Sequence, residues 1–267
     1  MFGKKHDIIN QLRKDILLMQ GFKPATGEMD DKTGLGIISD AFPNSRFPTG
    51  AIHEFFCAGM EEVSASSAFI SGIVSSLMKN SGIAVWIASS QLIYPPALKL
   101  FGIDPAKVIF LHLPEKKKLW AMEEALKCEG LSCVIGEVNE ISFIESRRLQ
   151  LATEQTKVTG FLIRRNPKNL STTCVTRWKI QPIESNKASD LPGLGFPRWN
   201  VSLLKVRNGK PGSWQMEWRR RRLRHIGARG GSCSSSRALH RTGVDDVGVE
   251  HQLWNRRQLL LLCLLHV

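Results

Sequence analysis

The chain has 267 residues, of which 42% are apolar, and a formal net charge of +13. This composition is typical of a globular protein with a large buried core, and no apolar run approaches the ~18 residues that a membrane-spanning helix needs. The six cysteines lack C-x-x-C spacing and the charged N-terminus lacks a signal-peptide core, so we expect reduced thiols, no metal site, no membrane contact and a cytoplasmic location.

The positive charge is unevenly distributed along the chain. Residues 1–218 contain 27 Lys and Arg against 21 Asp and Glu, whereas residues 219–267 contain 10 Arg, no Lys and 3 Asp and Glu. Three interpretations of this tail are open: a basic arm that binds nucleic acid, a membrane anchor with an apolar end too short to span, or the product of a frameshift near residue 218. We expect the tail to be disordered, so the functional prediction rests on residues 1–218.

The predicted organisation begins with a short helix and a linker. Apolar side chains between residues 4 and 19 recur every three or four positions, which is the period of an amphipathic helix. Residues 22–50 are rich in Gly, Pro and Asp and are predicted to be a linker. The predicted units are therefore residues 1–50, a main domain over 51–218 and the tail over 219–267.

From residue 51 onward, short apolar runs alternate with segments of helical period. Strands are predicted at 51–56, 82–89, 107–113, 131–138 and 158–165, with helices at 64–79, 93–101, 115–128 and 142–156. This order indicates βαβ units and a largely parallel sheet with helices on its faces. Segments of alternating pattern around Gly- and Pro-rich turns predict closing antiparallel strands at 175–183, 199–208 and 213–218.

The segment after the first strand has the spacing of a phosphate-binding loop but lacks its chemistry. Against G-x-x-x-x-G-K-[ST], Gly59 takes the first glycine, Ser64 the second, Ala65 the lysine and Ser66 the hydroxyl position. Ala65 cannot neutralise a triphosphate, and the pair Glu61–Glu62 adds like charge that costs about 1–4 kcal/mol per contact. We expect a degenerate site in which Ser64 caps the helix, with anion binding by the serines as the alternative.

A nucleotide-hydrolysing site also needs an acid that orients water and a second acid for the metal. The second strand ends in Ser89 and Ser90 where the first acid is required, and Glu137 near the end of the fourth strand is the candidate for the second. Glu137 alone does not make an ATPase, and it could instead cap the strand or pair with a basic neighbour. We therefore expect no hydrolysis and no cofactor, while bound ATP without cleavage stays open.

Several motifs between residues 5 and 218 occur in the order found in a known family. They are PTGAIHEFF, VWIASSQLIYPPALKLFGIDPAKVIFLHL, LWAMEEAL, CVIGEV, ESRRLQLATEQTKVTGFLIRR, TRWKIQPI and GLGFPRWNVSLLKVRNGKPGSWQMEW. Together they resemble the RecA-like core of ImuA-type proteins. In the resemblance to RecA itself, Ser90 stands where the catalytic Glu would be. The Arg-rich tail departs from the family pattern.

The resemblance implies a bacterial, SOS-inducible accessory protein of translesion DNA synthesis. Its implied partners are a Y-family polymerase-like protein (ImuB), an error-prone replicative-type polymerase and RecA. We expect a non-hydrolysing adaptor with a RecA-like fold. The alternatives are an ATP-dependent recombinase-type enzyme, which Ala65 and Ser90 disfavour, and a SulA-type inhibitor of cell division, which has a shorter chain.

Basic side chains supply candidate contacts for single-stranded DNA or a partner protein. Arg164, Arg165 and Lys168 follow the fifth strand at the expected ligand end of the sheet. Arg147 and Arg148 lie on the preceding helix and suit a protein interface equally well. The simpler alternative is that these charges only solvate the surface.

Tryptophans concentrate in the predicted closing strands. Trp199 and Trp214 are candidate partner contacts there, although packing in the core is the simpler interpretation. Trp120, on a predicted helix, is expected to pack in the core.

Overall fold

The computed structural model describes residues 11–12, 15, 33–79, 82–90, 93–165, 167–168, 171–185 and 195–226. Residues 11, 12 and 15 are helical, while the rest of the predicted helix over 4–19 lies outside the described residues. Within the described ranges, no helix is both long and apolar enough to cross a membrane.

Nine strands in the described part of the chain form one mixed sheet. They are β1 Ile52–Cys57, β2 Ile83–Ala88, β3 Val108–His112, β4 Leu131–Glu137, β5 Thr159–Arg165, β6 Thr176–Ile183, β7 Arg198–Val206, β8 Gly212–Arg219 and β9 Arg222–His225. The strand order is β3-β2-β4-β5-β1-β6-β7-β8-β9. Strands β1–β6 run parallel and β7–β9 continue antiparallel, which confirms a largely parallel sheet with closing antiparallel strands. The segment predicted at 175–183 as antiparallel is β6, which runs parallel to β1 and antiparallel only to β7.

Helices connect the parallel strands. They are α1 Met60–Leu77, α2 Glu115–Leu126 and α3 Phe143–Thr156, with 3₁₀ turns at Gly36–Ala41, Pro43–Ser45, Pro95–Phe101 and Pro105–Lys107. The helix predicted at 93–101 is thus a 3₁₀ segment, and its first two residues are both prolines. Proline fixes φ and lacks an N–H donor, which limits the growth of an α-helix.

Two apolar clusters lie on opposite faces of the sheet. In β1 the alternation of side chains sends Phe55 and Cys57 toward α1, and sends Ile52 and Glu54 toward α2 and α3. The α1-side cluster extends across β6, β7 and β8, whereas the cluster under α2 and α3 includes no residue of β6–β9. The antiparallel strands are therefore covered by an apolar core on one face only.

Residues 33–50, predicted as linker, are instead packed into the domain. Leu35, Ile38, Phe42 and Phe47 are all buried members of the α1-side core. Phe47 also stacks on the ring of buried His53, with 4.2 Å between centroids. The predicted boundary at residue 50 is wrong, because apolar residues spaced among Gly and Pro gave no helical or strand period.

The sheet also continues past the predicted boundary at residue 218. β9 pairs with β8, and Leu223 packs against the α1-side core opposite Trp218. Arg220 and Arg221 form the two-residue turn with φ values of 53° and 58°. Because such turns favour Gly and Asn, an Arg run gives no hairpin signal. The prediction of disorder from residue 219 is thus wrong for 219–226, the origin of the tail in a frameshift stays a prediction, and residues 227–267 lie outside the described residues.

Candidate functional site

The candidate phosphate loop is a two-residue connection between β1 and α1. β1 ends at Cys57, α1 begins at Met60 with Gly59 as its N-cap, and the Val63 N–H donates to the Gly59 carbonyl at 3.1 Å. The prediction that Ser64 caps the helix is wrong, because the helix starts four residues earlier. Residues 60–67 are helical, whereas a phosphate loop arranges free backbone N–H groups around an anion.

The Glu62 carboxylate lies at the N-terminal end of α1. Its Oε2 accepts a hydrogen bond from the Ala58 N–H at 2.7 Å, and its Oε1 accepts one from Gln181 Nε2 at 3.1 Å. Lys179 Nζ is 3.6 Å from the same Oε1. A helix N-terminus attracts anions through its dipole and unpaired N–H groups. The protein's own carboxylate therefore lies beside this end of the helix and bonds the connection that leads into it.

Ala65 and Ser66, which occupy the lysine and hydroxyl positions of the predicted loop, are buried in α1. Ala65 belongs to the α1-side core, and Ser66 Oγ is 3.3 Å from Cys57 Sγ. Burial raises the pKa of the Cys57 thiol to about 12, although the contact with Ser66 opposes the shift. The thiol is therefore protonated at neutral pH and unsuited to nucleophilic chemistry.

Glu137 lies at the end of β4 and is 8% exposed. Its Oε1 accepts a hydrogen bond from Trp86 Nε1 at 3.3 Å. Burial raises the pKa of the carboxyl, while the Trp86 bond and the charges of Lys118 and Arg165 oppose the rise. Ser90 is exposed just after β2. Within the described residues, no group of three or more His, Cys, Asp or Glu side chains could hold a metal ion.

Arg164 is a buried ion-pair residue. Its side chain is 0% exposed, with Nη1 2.6 Å from Glu54 Oε1 and Nη2 3.2 Å from Glu140 Oε2. Arg177 Nε lies 2.8 Å from the second oxygen of Glu54. The prediction that Arg164 contacts DNA or a partner is wrong, because strand alternation points it inward. The missed signal was Glu54 in an otherwise apolar strand, since a buried carboxylate requires a cation.

The other basic residues that were predicted to contact DNA or a partner are exposed, and they lie in two separate places. Arg165 ends β5, and Lys168 lies in the segment that follows it. Arg147 and Arg148 lie on α3, where Arg148 Nη2 is 2.6 Å from Glu123 Oε2. These residues are accessible, and nothing in the described geometry assigns them a ligand.

The tryptophans differ from their predicted roles. Trp199 is 3% exposed and packs edge-on against Phe69 at 6.3 Å between centroids, so it is not available to a partner. Trp214 is half-buried against the same core. Trp120, expected in the core, is 63% exposed on α2, and with Arg148 it lines a cavity of about 510 Å³ between α2 and α3.

The chain is similar to two curated proteins, each named Protein ImuA, from Caulobacter vibrioides strains NA1000 / CB15N and ATCC 19089 / CIP 103742 / CB 15. Each is 30% identical over 194 residues, which cover 67% of this chain and 80% of the relative. No family profile matches the chain.

Similar solved structures include a RadB recombinase, with a TM-score of 0.46 and 12% identity over 67% of this chain and 91% of that one. A KaiC-like protein from Pyrococcus horikoshii OT3 has a TM-score of 0.48 and 11% identity over 73% of this chain and 97% of that one. The sequence identity to the two curated relatives, and the extent of their length that it spans, show that this chain belongs to the ImuA family.

Proposed function

We propose that this chain is a non-hydrolysing accessory protein of SOS-induced, error-prone translesion DNA synthesis. The observation that carries the proposal is the short junction between β1 and α1. Position 65 carries a buried alanine where a triphosphate would require a cation, and the Glu62 carboxylate accepts the Ala58 N–H at the helix end. Position 90, where the water-orienting acid is required, is Ser90. This degenerate site supports a binding role in place of ATP chemistry.

The accessory role is that of an adaptor for an ImuB-type polymerase-like protein, RecA and an error-prone replicative-type polymerase. The outer face of α3 is our candidate for the partner contact. Ile144 is 73% exposed and Leu151 44%, and Arg147 and Arg148 lie between them at helical spacing. Trp120 is exposed on the neighbouring helix α2. Apolar side chains mixed with Arg and Trp are typical of protein interfaces.

The first experiment measures phosphate release from ATP by the full chain, with and without single-stranded DNA. We expect no turnover above background, and none in the Ala65→Lys variant, because the new ammonium group would be buried without a partner and the acid at position 90 would still be absent. Turnover by the natural chain that a junction mutation abolishes would overturn the non-hydrolysing role. Robust turnover in Ala65→Lys would show that the loop alignment is mistaken.

The second experiment is co-purification of the tagged chain from DNA-damaged bacteria. Ile144→Glu should reduce capture of the polymerase-like partner at least tenfold, because it places a charge in an apolar contact. Ile109→Glu is the matched control, since Ile109 is 49% exposed on edge strand β3, away from α3. Equal capture by both variants would exclude the α3 face, and capture of the division protein FtsZ would favour the SulA-type alternative.

A further inference from the structure

The face of β6–β9 that points away from α1 is largely polar. The strand register places its side chains in adjacent rows: Lys179, Ser202 and Ser213; Gln181, Asn200 and Gln215; Ile183, Arg198, Glu217 and Arg224; and Arg219 with Arg222. Most apolar residues of the same strands alternate to the opposite face and join the α1-side core; Ile183 and Leu204 do not. We call this polar surface the open face.

The outer end of the open face carries unpaired arginines. Arg219–Arg222 and Arg224 are all exposed, and in the part of the chain that the structure describes no carboxylate forms an ion pair with any of them. Glu217, the carboxylate in the adjacent row, is already paired with Arg198 Nε at 2.9 Å. Five guanidinium groups on one hairpin therefore meet no counter-charge among the described residues.

The side chains around these arginines favour a nucleic-acid ligand over other polyanions. Guanidinium groups bind phosphate in a bidentate manner, and the Arg219 guanidinium lies 4.8 Å from the centre of the Phe196 ring, which gives a flat stacking surface. The rows beyond contain Asn200 and Gln215, whose amides both donate and accept hydrogen bonds. A membrane surface would require several apolar side chains among the cations, whereas these rows contain one, Ile183, at the β6 end of the row that runs through Arg198 to Arg224.

We propose that the open face binds single-stranded nucleic acid, with phosphates on Arg219, Arg222 and Arg224 and bases toward the amide rows. An extended strand with exposed bases suits a polar sheet face that carries a basic edge. The inference deepens the proposed function. It rests on that function in one respect only, namely that the single strand which the chain meets in the cell is DNA. It locates DNA contact on a surface separate from the predicted Arg165 and Lys168.

The test measures the affinity of the full chain for a fluorescent 20-nucleotide single strand across a salt series. The test variant is the triple Arg219→Gln, Arg222→Gln, Arg224→Gln. The control triple is Arg147→Gln, Arg148→Gln, Arg165→Gln, which removes the same charge elsewhere. Both variants retain the turn residues and the tail, so neither a change of turn nor residues 227–267 can account for a difference between them. Thermal melting of each variant checks that it is folded.

We expect the hairpin triple to raise the Kd at least tenfold near 0.1 M salt and the control triple to change it less than twofold. The slope of log K against log salt should fall by about 2 in the hairpin triple, because each lost phosphate contact removes roughly 0.7. Equal losses in the two triples, or no loss in the hairpin triple, would overturn the inference. So would binding to anionic-lipid vesicles that requires the hairpin when the oligonucleotide does not bind.

Failure of this inference is distinguishable from failure of the adaptor role. Oligonucleotide binding is measured without any partner protein, whereas the adaptor role is measured by co-purification and depends on Ile144. A hairpin triple that retains its partners but loses the oligonucleotide supports both. Normal oligonucleotide binding without partner capture would overturn only the adaptor role.

Discussion

The parallel and antiparallel halves of the sheet differ in whether their charged side chains are buried in ion pairs or exposed without one. In the parallel half, Glu54 and Arg164 are buried against each other, and Glu62 lies 3.6 Å from Lys179 and accepts the Ala58 N–H. In the antiparallel half, one face joins the core and the other presents arginines that no described carboxylate pairs. The position of unpaired charge, more than the net charge of +13, therefore indicates where a polyanion would bind.

The largest expected effect tests the buried charges of the parallel half. Arg164→Met should lower the free energy of unfolding by about 3–5 kcal/mol, because it leaves Glu54 and Glu140 without this partner. Arg165→Met is the matched control next to it; it is exposed and should change stability by less than about 0.5 kcal/mol. Urea unfolding measures both, and equal effects would contradict the assignment of Arg164 to the interior.

The second prediction compares the two faces of the antiparallel half. Trp199→Ala should cost about 3–5 kcal/mol of unfolding free energy, because it removes a large side chain from the core. Gln215→Ala, on the open face, should cost less than about 0.5 kcal/mol. Chemical denaturation of the two variants would refute the two-faced description if their midpoints shifted equally.

The third prediction concerns the pH dependence contributed by the parallel half. Burial lowers the pKa of His53 from 6.5 to about 3, against the opposing effect of its bond to the Pro48 carbonyl. The unfolded chain therefore binds the proton first, and folding stability falls as the pH drops below 6.5 toward 3. The loss should approach about 2 kcal/mol at pH 5. Urea titrations at pH 7, 6 and 5 measure it.

His53→Gln provides the control for that pH dependence. The variant removes the titrating ring, so the part of the slope between pH 6.5 and 5 that belongs to His53 should disappear. An unchanged slope in His53→Gln would show that another group causes the loss.

The smallest predicted effect is a gain of stability at the β8–β9 turn. Arg220 and Arg221 both have positive φ, which Asn and Gly adopt at lower cost. The double variant Arg220→Asn, Arg221→Gly should raise the free energy of unfolding by about 1 kcal/mol. Thermal melting measures the gain, and a loss of stability would contradict the two-residue turn.

Much of the fold could be predicted from the sequence, because most parallel strands are short apolar runs and each connecting helix shows its own period. β6 is the exception: its alternating pattern predicted an antiparallel strand, whereas it pairs parallel with β1. The packing of residues 33–50 and the strand β9 could not be predicted. Phe42 and Phe47 lie among turn residues, and the turn that leads into β9 consists of arginines. Their positions depend on tertiary contacts: the Phe47–His53 stack and the packing of Leu223 on the core.

The candidate site was predictable in its chemistry but not in its geometry. The alanine at position 65 and the glutamates of the loop were evident, whereas the bond from the Ala58 N–H to Glu62 requires the helix to begin at Met60. Arg164 and Arg165 could not be distinguished by charge alone. Only the pairing of β5 with β1, which carries Glu54, shows that Arg164 lies in the interior and Arg165 at the surface.

Calorimetric titration of the full chain with Mg–ATP tests most directly whether the β1–α1 junction still binds nucleotide. The closed connection, the Glu62 carboxylate and the missing cation predict no saturable heat at millimolar nucleotide. Stoichiometric binding at micromolar concentration, lost when Gly59 or Ser66 is replaced by a bulky residue, would contradict the account.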